Sequence, residues 1–356
     1  MGSLTGQLPY EDVETHRIML SDSPRVRAYR SALEHHRRRI SGGVVLDVGC
    51  GTGLLACLAA RLGARKVFAV EPSGIAVYAQ RVAERNGLDG VVQIINKRIE
   101  DVLHSEAEPV DVIVSEWMGF HLLHEGMLPS VLRGARDRFL KRGGLMLPQR
   151  ARVWCAPVDM QEWADSHLHF WEDVCGLDMS ALIEPAVQRA LSTPLITDVN
   201  PSQLLAEPLC AKEIDLHACT PQDAQLVDRL LPFEAAREGY CHGFCVWFDV
   251  DFASVQESEP LLLSTSPSSE KTHWQQSVVL LSSVLLASPG SSLQMRLHMR
   301  PDEHQPRHCV LAVEMGDTED DDGGGEEHRT ALSEAAEREA GMRAVIDAYL
   351  AERKDE

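Results

Sequence analysis

Apolar positions along this chain change period twice. Between residues 11 and 40 they recur at helical spacing through Ile18, Met19, Ala28, Tyr29 and Leu33, and Ser23-Pro24 marks a break, so two helices are predicted. From Val44 to Pro148 short apolar runs (VVLDV, VFAVE, VVQIIN, VDVIVSE and GLMLP) alternate with helical segments from Leu54, from Ala76 to Asn86, and from Met127. That alternation predicts an α/β, Rossmann-like domain: a parallel sheet with helices on both faces and ligands at the carboxyl ends of its strands. Beyond Pro148 the texture becomes short strands with turn signals between them, ARVWCAPV, AKEIDLHAC, GFCVWFDVDF, PLLLST, SVVLL, LQMRLHM and CVLAVEM, which predict an antiparallel sandwich or barrel. One stretch interrupts them. Residues 159–192 carry Trp163, Phe170, Trp171, Val174 and Leu177 at helical spacing, a stripe that suits either its own barrel or a second subunit. The tail reads as an acidic linker, Asp317 to Glu327, and a polar helix from Arg329 to Lys354.

Composition narrows the class. The 356 residues are 44% hydrophobic and 25% charged, values of a globular protein of about two domains. The longest apolar stretches are broken by serines, and no basic-then-apolar segment opens the chain, so neither a membrane span nor a secretory signal is expected. Nine cysteines without a CxxC pair fit reduced, mostly buried thiols. Cys241, His242 and Cys245 have a passing look of metal ligands, but the run continues as a buried strand and no metal is expected. The basic run His35 to Arg39 reads as a solvated helix face rather than a localisation signal. A net charge of −20 disfavours direct nucleic-acid binding and favours cationic partners.

The first strand runs into Asp47-Val48-Gly49-Cys50-Gly51-Thr52-Gly53 and then an apolar helix. Glycines at such a turn let a ligand approach the backbone. A dinucleotide fingerprint needs a third glycine where Leu54 stands, so a pyrophosphate ligand fits poorly. Glu71 ends the next strand, where a carboxylate accepts both ribose hydroxyls of an adenosine group. Glu100 follows the third strand and is placed for the adenine amino group. Each alone is equally a polar strand end; with the glycine turn they point to an adenosine cofactor without phosphates.

After the fourth strand comes Ser115-Glu116-Trp117-Met118-Gly119, with Glu125 nine residues beyond Glu116 and Met127 opening the next helix. Two carboxylates bracketing a loop form a receptor for a planar, forked cation, which arginine matches better than lysine. A sulfonium donor and a guanidinium about 4 Å apart repel by about 4 kcal/mol at an effective dielectric near ~20. Paired carboxylates offset that repulsion, localise charge on the fork and leave one nitrogen better able to attack.

With these motifs on the page, residues 10 to 315 resemble the protein arginine N-methyltransferases. SEWMGFHLLHEGML is similar to the family's double-glutamate loop, with Glu116 and Glu125 in its two substrate-holding positions. Lys271-Thr272-His273-Trp274 resembles the loop of the asymmetric-dimethylating class, type I. HGFCVWFDVDF and PLLLSTSP look most similar to the nuclear type-six sub-family. The resemblance implies S-adenosyl-L-methionine as cofactor and, from His16, Met19, Leu20, Asp22 and Arg25, that Arg25 pairs with the cofactor carboxylate with His16 nearby. It further implies that Asp22 pairs with His273 as a proton acceptor, and that Met19, Met127 and Trp274 line the substrate pocket.

The implied domains are amino-terminal helices covering the cofactor (1–40), a Rossmann-like domain (41–148), a β-barrel with a dimerisation arm at about 159–192 (149–315), and the acidic linker and terminal helix (316–356). A head-to-tail homodimer, arginine-rich protein substrates such as histone tails, and residence in the nucleus, with the cytoplasm as second compartment, are further implications. The chain departs from the family pattern at its start, where an ungapped match puts Gly6 and Gln7 in place of an aromatic pair and leaves Tyr10. That departure motivates an alternative reading, an inactive dimeric scaffold that binds the cofactor.

Overall fold

Asp22 is the joint between the first two helices, α1 (Val13–Ser21) and α2 (Ser23–His35). Its side chain accepts the Arg25 amide, which caps α2, and Pro24 sits in the first turn, where a missing N–H costs nothing. A third, one-turn helix, α3 (Arg37–Ile40), follows where the spacing predicts only two. The basic run is anchored as well as solvated: Arg39 donates to the Gly143 carbonyl and the His36 ring bonds the Phe252 carbonyl. The computed structural model describes residues 11–252, 261–305 and 307–315. Gly6, Gln7 and Tyr10, the acidic linker and the terminal helix lie outside the described residues.

Five parallel strands form the first sheet: β1 (Val44–Val48), β2 (Lys66–Val70), β3 (Val92–Ile95), β4 (Val110–Val114) and β5 (Leu140–Leu147), in the order β3-β2-β1-β4-β5. Every residue of β1 is buried, which is why this strand is apolar throughout except for Asp47. Helices α4 (Leu54–Arg61) and α5 (Ala76–Arg85) follow β1 and β2 as expected. The chain winds outward to β3, then returns to place β4 on the other side of β1. The β1/β4 crevice is therefore a topological switch point, and the loops that leave these two strands open there.

The helix expected from Met127 opens as expected, with Leu128 and Pro129 helical and the Val131 amide donating to the Met127 carbonyl at 3.0 Å. It then widens to a π-helix at Ser130–Arg136 before Asp137–Phe139 continues as α-helix. Gly134 lets this wide turn lie on Ile99, whose Cγ2 would be 2.7 Å from an added Cβ.

Among the described residues nine antiparallel strands follow: β6 (Arg150–Val158), β7 (Leu195–Thr197), β8 (Leu209–Asp215), β9 (Val227–Glu234), β10 (Gly239–Asp251), β11 (Leu262–Ser264), β12 (Gln276–Ala287), β13 (Ser292–Pro301) and β14 (Cys309–Met315). One sheet runs β7-β12-β10-β6-β8 with β11 on β10; the other runs β14-β13-β9. β8 lies against β9 and β12 against β14, joining the two sheets around one apolar core. β7 and β9 are additional to the strands read from the sequence, the first because it is three residues long, the second because charges and Pro232 mask its alternation. Cys241, His242 and Cys245 lie in buried β10, where burial pushes both thiols up and the His242 ring accepts the Met160 amide at 3.1 Å.

The stripe at residues 159–192 divides rather than forming one helix. Gln161–His167 is helical, His169–Glu172 is a 3-10 turn, left-handed backbone at Cys175 and Gly176 reverses the chain, and Ile183–Ser192 is a second helix. Trp163 and Trp171 pack with Ala164, Leu168, Ile183 and Val187 inside the arm. Phe170 and Leu177 face outward, 52% and 65% exposed. Among the described residues no helix is long and apolar enough to cross a membrane.

Candidate functional site

The glycine turn after β1 and the loop after β4 meet α1, α2 and the Thr272–Trp274 segment around a cavity of about 270 Å³. Of the residues singled out in the sequence, His16, Met19, Arg25, Gly49, Gly51, Glu71, Glu116, Glu125, Met127, His273 and Trp274 line it. Asp22, Asp47, Gly53 and Glu100 are not among the lining residues.

Gly49, Gly51 and Gly53 have φ of +73°, +52° and +82°, a region that suits glycine. A Cβ on Gly49 would sit 2.5 Å from Met127 Cε and one on Gly51 3.1 Å from the His16 ring, so side chains here would fill the cavity floor. Glu71 accepts the Gly51 amide at 3.0 Å and the Ser73 amide at 2.9 Å, which holds its buried carboxylate at the cavity wall. Asp47 supports from beneath: one oxygen accepts the Ala56 amide at 2.9 Å, fixing the start of α4, and the other is buried with no partner. Burial, opposed by the Ala56 bond and reinforced by the nearby Glu71 charge, pushes its carboxyl up to about 7. Glu100 is turned outward in the 3-10 turn Ile99–Asp101, with Ser130 donating to it at 2.5 Å.

Arg25 lies against Glu116. Its Nε and Nη2 donate to Glu116 Oε2 at 3.1 and 3.0 Å, and its Nη1 to the Met19 carbonyl at 2.8 Å. The Arg25–Glu116 contact goes beyond the sequence reading, which assigns Arg25 to the cofactor alone. The other oxygen, Glu116 Oε1, is buried and has no partner, an acceptor waiting for a donor. His273 Nδ1 is 2.6 Å from Asp22 Oδ2, which also accepts the His273 amide at 2.9 Å. Burial raises the Asp22 carboxyl, but the His273 ring and the backbone donors outweigh it and leave it below the usual range. The Trp274 ring lies 4.0 Å from the His273 ring at an interplanar tilt of 37° and meets Phe248 edge-on at 5.3 Å.

The loop between the two glutamates is strained and tied down. His121, Leu122 and Glu125 all have positive φ, at 40°, 77° and 60°, which costs on the order of 1–3 kcal/mol each. Gly119 permits the fold-back: a Cβ there would lie 1.6 Å from the His124 carbonyl oxygen. Barrel residues hold the loop in place. The Glu125 amide donates to the Arg307 carbonyl at 2.7 Å, Arg307 Nη2 returns a bond to the Glu125 carbonyl at 2.9 Å, and the His121 ring meets Ser277 Oγ at 3.1 Å. Burial, and secondarily His124, pushes His121 down to about 3, so it stays neutral.

Sequence reasoning missed several lining residues. Tyr29 is buried with its hydroxyl donating to the Ser115 carbonyl at 2.9 Å, and Trp117, Phe120, His124 and Arg307 complete the wall. Tyr29 carries only core periodicity, and Arg307 is remote in sequence from every motif, so neither had a local signal.

Residues 45–144 match a methyltransferase domain and residues 149–317 the arginine methyltransferase oligomerization subdomain. Protein arginine N-methyltransferase 6 of Danio rerio is 37% identical over 309 residues, covering 86% of this chain and 87% of that one. The chain belongs to the protein arginine N-methyltransferase family. Structural neighbours of this methyltransferase agree. A crystal structure of PRMT6-SAH superposes with a TM-score of 0.72 at 31% identity, covering 86% of this chain and 100% of that one. The Trypanosoma brucei PRMT1 enzyme-prozyme heterotetrameric complex with AdoHcy gives 0.77 at 31% identity, with 86% and 94% covered. S-adenosylmethionine is thus the cofactor of this arginine methyltransferase, and the glycine floor and the Glu71 wall fit its adenosine part.

Proposed function

We propose that this enzyme transfers methyl groups to guanidino nitrogens of arginine-rich proteins, histone tails among them, and yields monomethyl- and asymmetric dimethylarginine. The observation that carries this reading is the unpartnered, buried Oε1 of Glu116 in a cavity shared with Glu125 and with His273, which Asp22 holds from behind. Bound S-adenosylmethionine supplies an electrophilic methyl group. Gly49, Gly51, Glu71, His16 and Arg25 would hold it, with Asp47 and Gly53 shaping the turn; Glu100 would reach the adenine only by turning inward from Ser130. Glu116 and Glu125 bind the guanidinium fork, cancel its charge and leave one nitrogen free to react. His273, oriented by Asp22, accepts the proton that the methylated guanidinium sheds. Met19, Met127 and Trp274 bound the space around that nitrogen.

The match to the oligomerization subdomain and the outward-facing Phe170, Leu177, Met179 and Leu182 of the arm support a head-to-tail homodimer. Val77 and Tyr78, exposed on α5 of the nucleotide-binding domain, are a fitting receptor. The net charge of −20 favours basic substrates by long-range attraction. Residence in the nucleus follows from the type-six likeness and the proposed histone substrates. Fragment mass spectrometry of an arginine-rich histone peptide incubated with the protein and S-adenosylmethionine tests the reading. Two methyls on one terminal nitrogen are expected. Symmetric or solely monomethyl product overturns the type I assignment, and unmodified peptide with cofactor bound favours the scaffold alternative.

A further inference from the structure

The edge of the cavity holds a second constellation, of which the methyl-transfer reading uses only Glu125. We propose that His124, Glu125 and His308 form a site for a divalent transition metal, zinc foremost, and that its occupancy withdraws Glu125 from the arginine substrate.

One donor atom from each of the three residues lies within 4.8 Å of the other two. His308 Nε2 is 3.6 Å from Glu125 Oε1, and the His124 and His308 rings are 4.7 Å apart. Zinc–ligand bonds of about 2.0–2.2 Å need donors somewhat closer than this, a contraction that side-chain rotation supplies. Two imidazoles and a carboxylate are a zinc ligand set that leaves a fourth position for water. His124 Nδ1 lies 3.2 Å from the Cys309 carbonyl oxygen, and in the tautomer that donates to it the unprotonated Nε2 is left as the ligand for an ion. Metal-binding imidazoles characteristically have such a partner on the second nitrogen. The bonds between Glu125 and Arg307 fix the spacing of the two segments that supply the ligands. All three residues are half-buried, open enough for an ion to enter.

His308 is not among the residues lining the cavity. A role in methyl transfer therefore does not account for it. A dication on Glu125 removes one arm of the guanidinium clamp, so metal and substrate arginine compete, while the glycine floor that serves the cofactor is untouched. This consequence rests on the reading of Glu125 as a substrate-holding group. The metal site itself does not.

The test uses the full chain, stripped with a chelator, and its His308→Asn variant, with Co²⁺ as spectroscopic probe and Zn²⁺ in the methyl-transfer assay. Expected are visible Co²⁺ bands of nitrogen and oxygen ligation without a thiolate charge-transfer band, weakened roughly 10–100-fold in affinity by His308→Asn. Zn²⁺ should raise KM for an arginine peptide and leave KM for S-adenosylmethionine unchanged. His308→Asn should be as active as the parent without metal and resist Zn²⁺. Equal Co²⁺ binding by both proteins, or a thiolate band, overturns the site. Intact Co²⁺ binding with an unchanged peptide KM in Zn²⁺ overturns the competition. If no peptide is methylated at all, the Co²⁺ comparison still decides the metal site, and the failure belongs to the catalytic reading.

Discussion

Glu116 divides its carboxylate between two tasks: Oε2 answers Arg25 and Oε1 faces the cavity unpaired. Glu116→Gln keeps the shape and an acceptor for Arg25 but removes the charge that offsets the guanidinium. We expect kcat/KM on an arginine peptide to fall by roughly 10²–10³-fold, the scale of losing one preorganised electrostatic group. Near-normal turnover would refute the clamp. Asp47 makes a prediction about stability. Its folded-state carboxyl titrates at about 7, above the 3.8 of an unperturbed group. A raised pKa means the folded state holds its proton longer, so the favourable contribution is full below the unfolded value and is lost as pH rises through the folded one. Between pH about 4 and about 7 the parent should lose stability relative to Asp47→Asn, which keeps a carbonyl for the Ala56 amide. Urea unfolding at both ends of that window checks it; parallel profiles would show that Asp47 is not held protonated.

At the scale of the element, the double-glutamate loop is the demanding part. Its backbone runs against ordinary preferences at three non-glycine positions and is held by bonds to β12 and to the segment before β14. Gly119 is the one position where a single methyl is incompatible with the fold-back. Gly119→Ala should displace Glu125 and abolish most peptide methylation, at a cost in stability of about 1–3 kcal/mol for the misfit. Binding of S-adenosylmethionine, which depends on the β1 turn, should persist. Calorimetric titration with the cofactor beside a methylation assay separates the two, and parallel loss of both would mean that the loop and the turn fold as one unit.

At the scale of the whole molecule, the switch point between β1 and β4 brings the glycine turn and the double-glutamate loop together, and the barrel closes the site by supplying His273, Trp274 and Arg307. The arm leaves Phe170 and Leu177 outside the apolar cluster its tryptophans build. Leu177→Asp should convert the proposed dimer to monomers in light scattering coupled to size exclusion. The arm's own fold should survive, because Leu177 is 65% exposed and outside the arm's apolar cluster. A variant that stays dimeric would place the interface elsewhere.

Several features were legible in the residues alone: the alternation that builds the parallel sheet, the glycine turn and the two glutamates of the loop; the Thr272–Trp274 motif came from the family resemblance. The first three depend on local chemistry. Period, turn propensity and the pairing of residue types over a dozen positions are written in adjacent residues. The broken arm and the widening of the helix after Met127 into a π-helix were not legible, because both follow from backbone geometry at single positions. Nor was the inward Asp47 beside an outward Glu100, two acids that look alike at strand ends and differ in what surrounds them. The contacts Arg25–Glu116, His273–Asp22 and Arg307–Glu125 span 91, 251 and 182 residues. Resemblance suggested the second of these. Only the tertiary structure brings all three together, since pairing across such separations is set by how the sheet and the barrel pack and not by any local pattern.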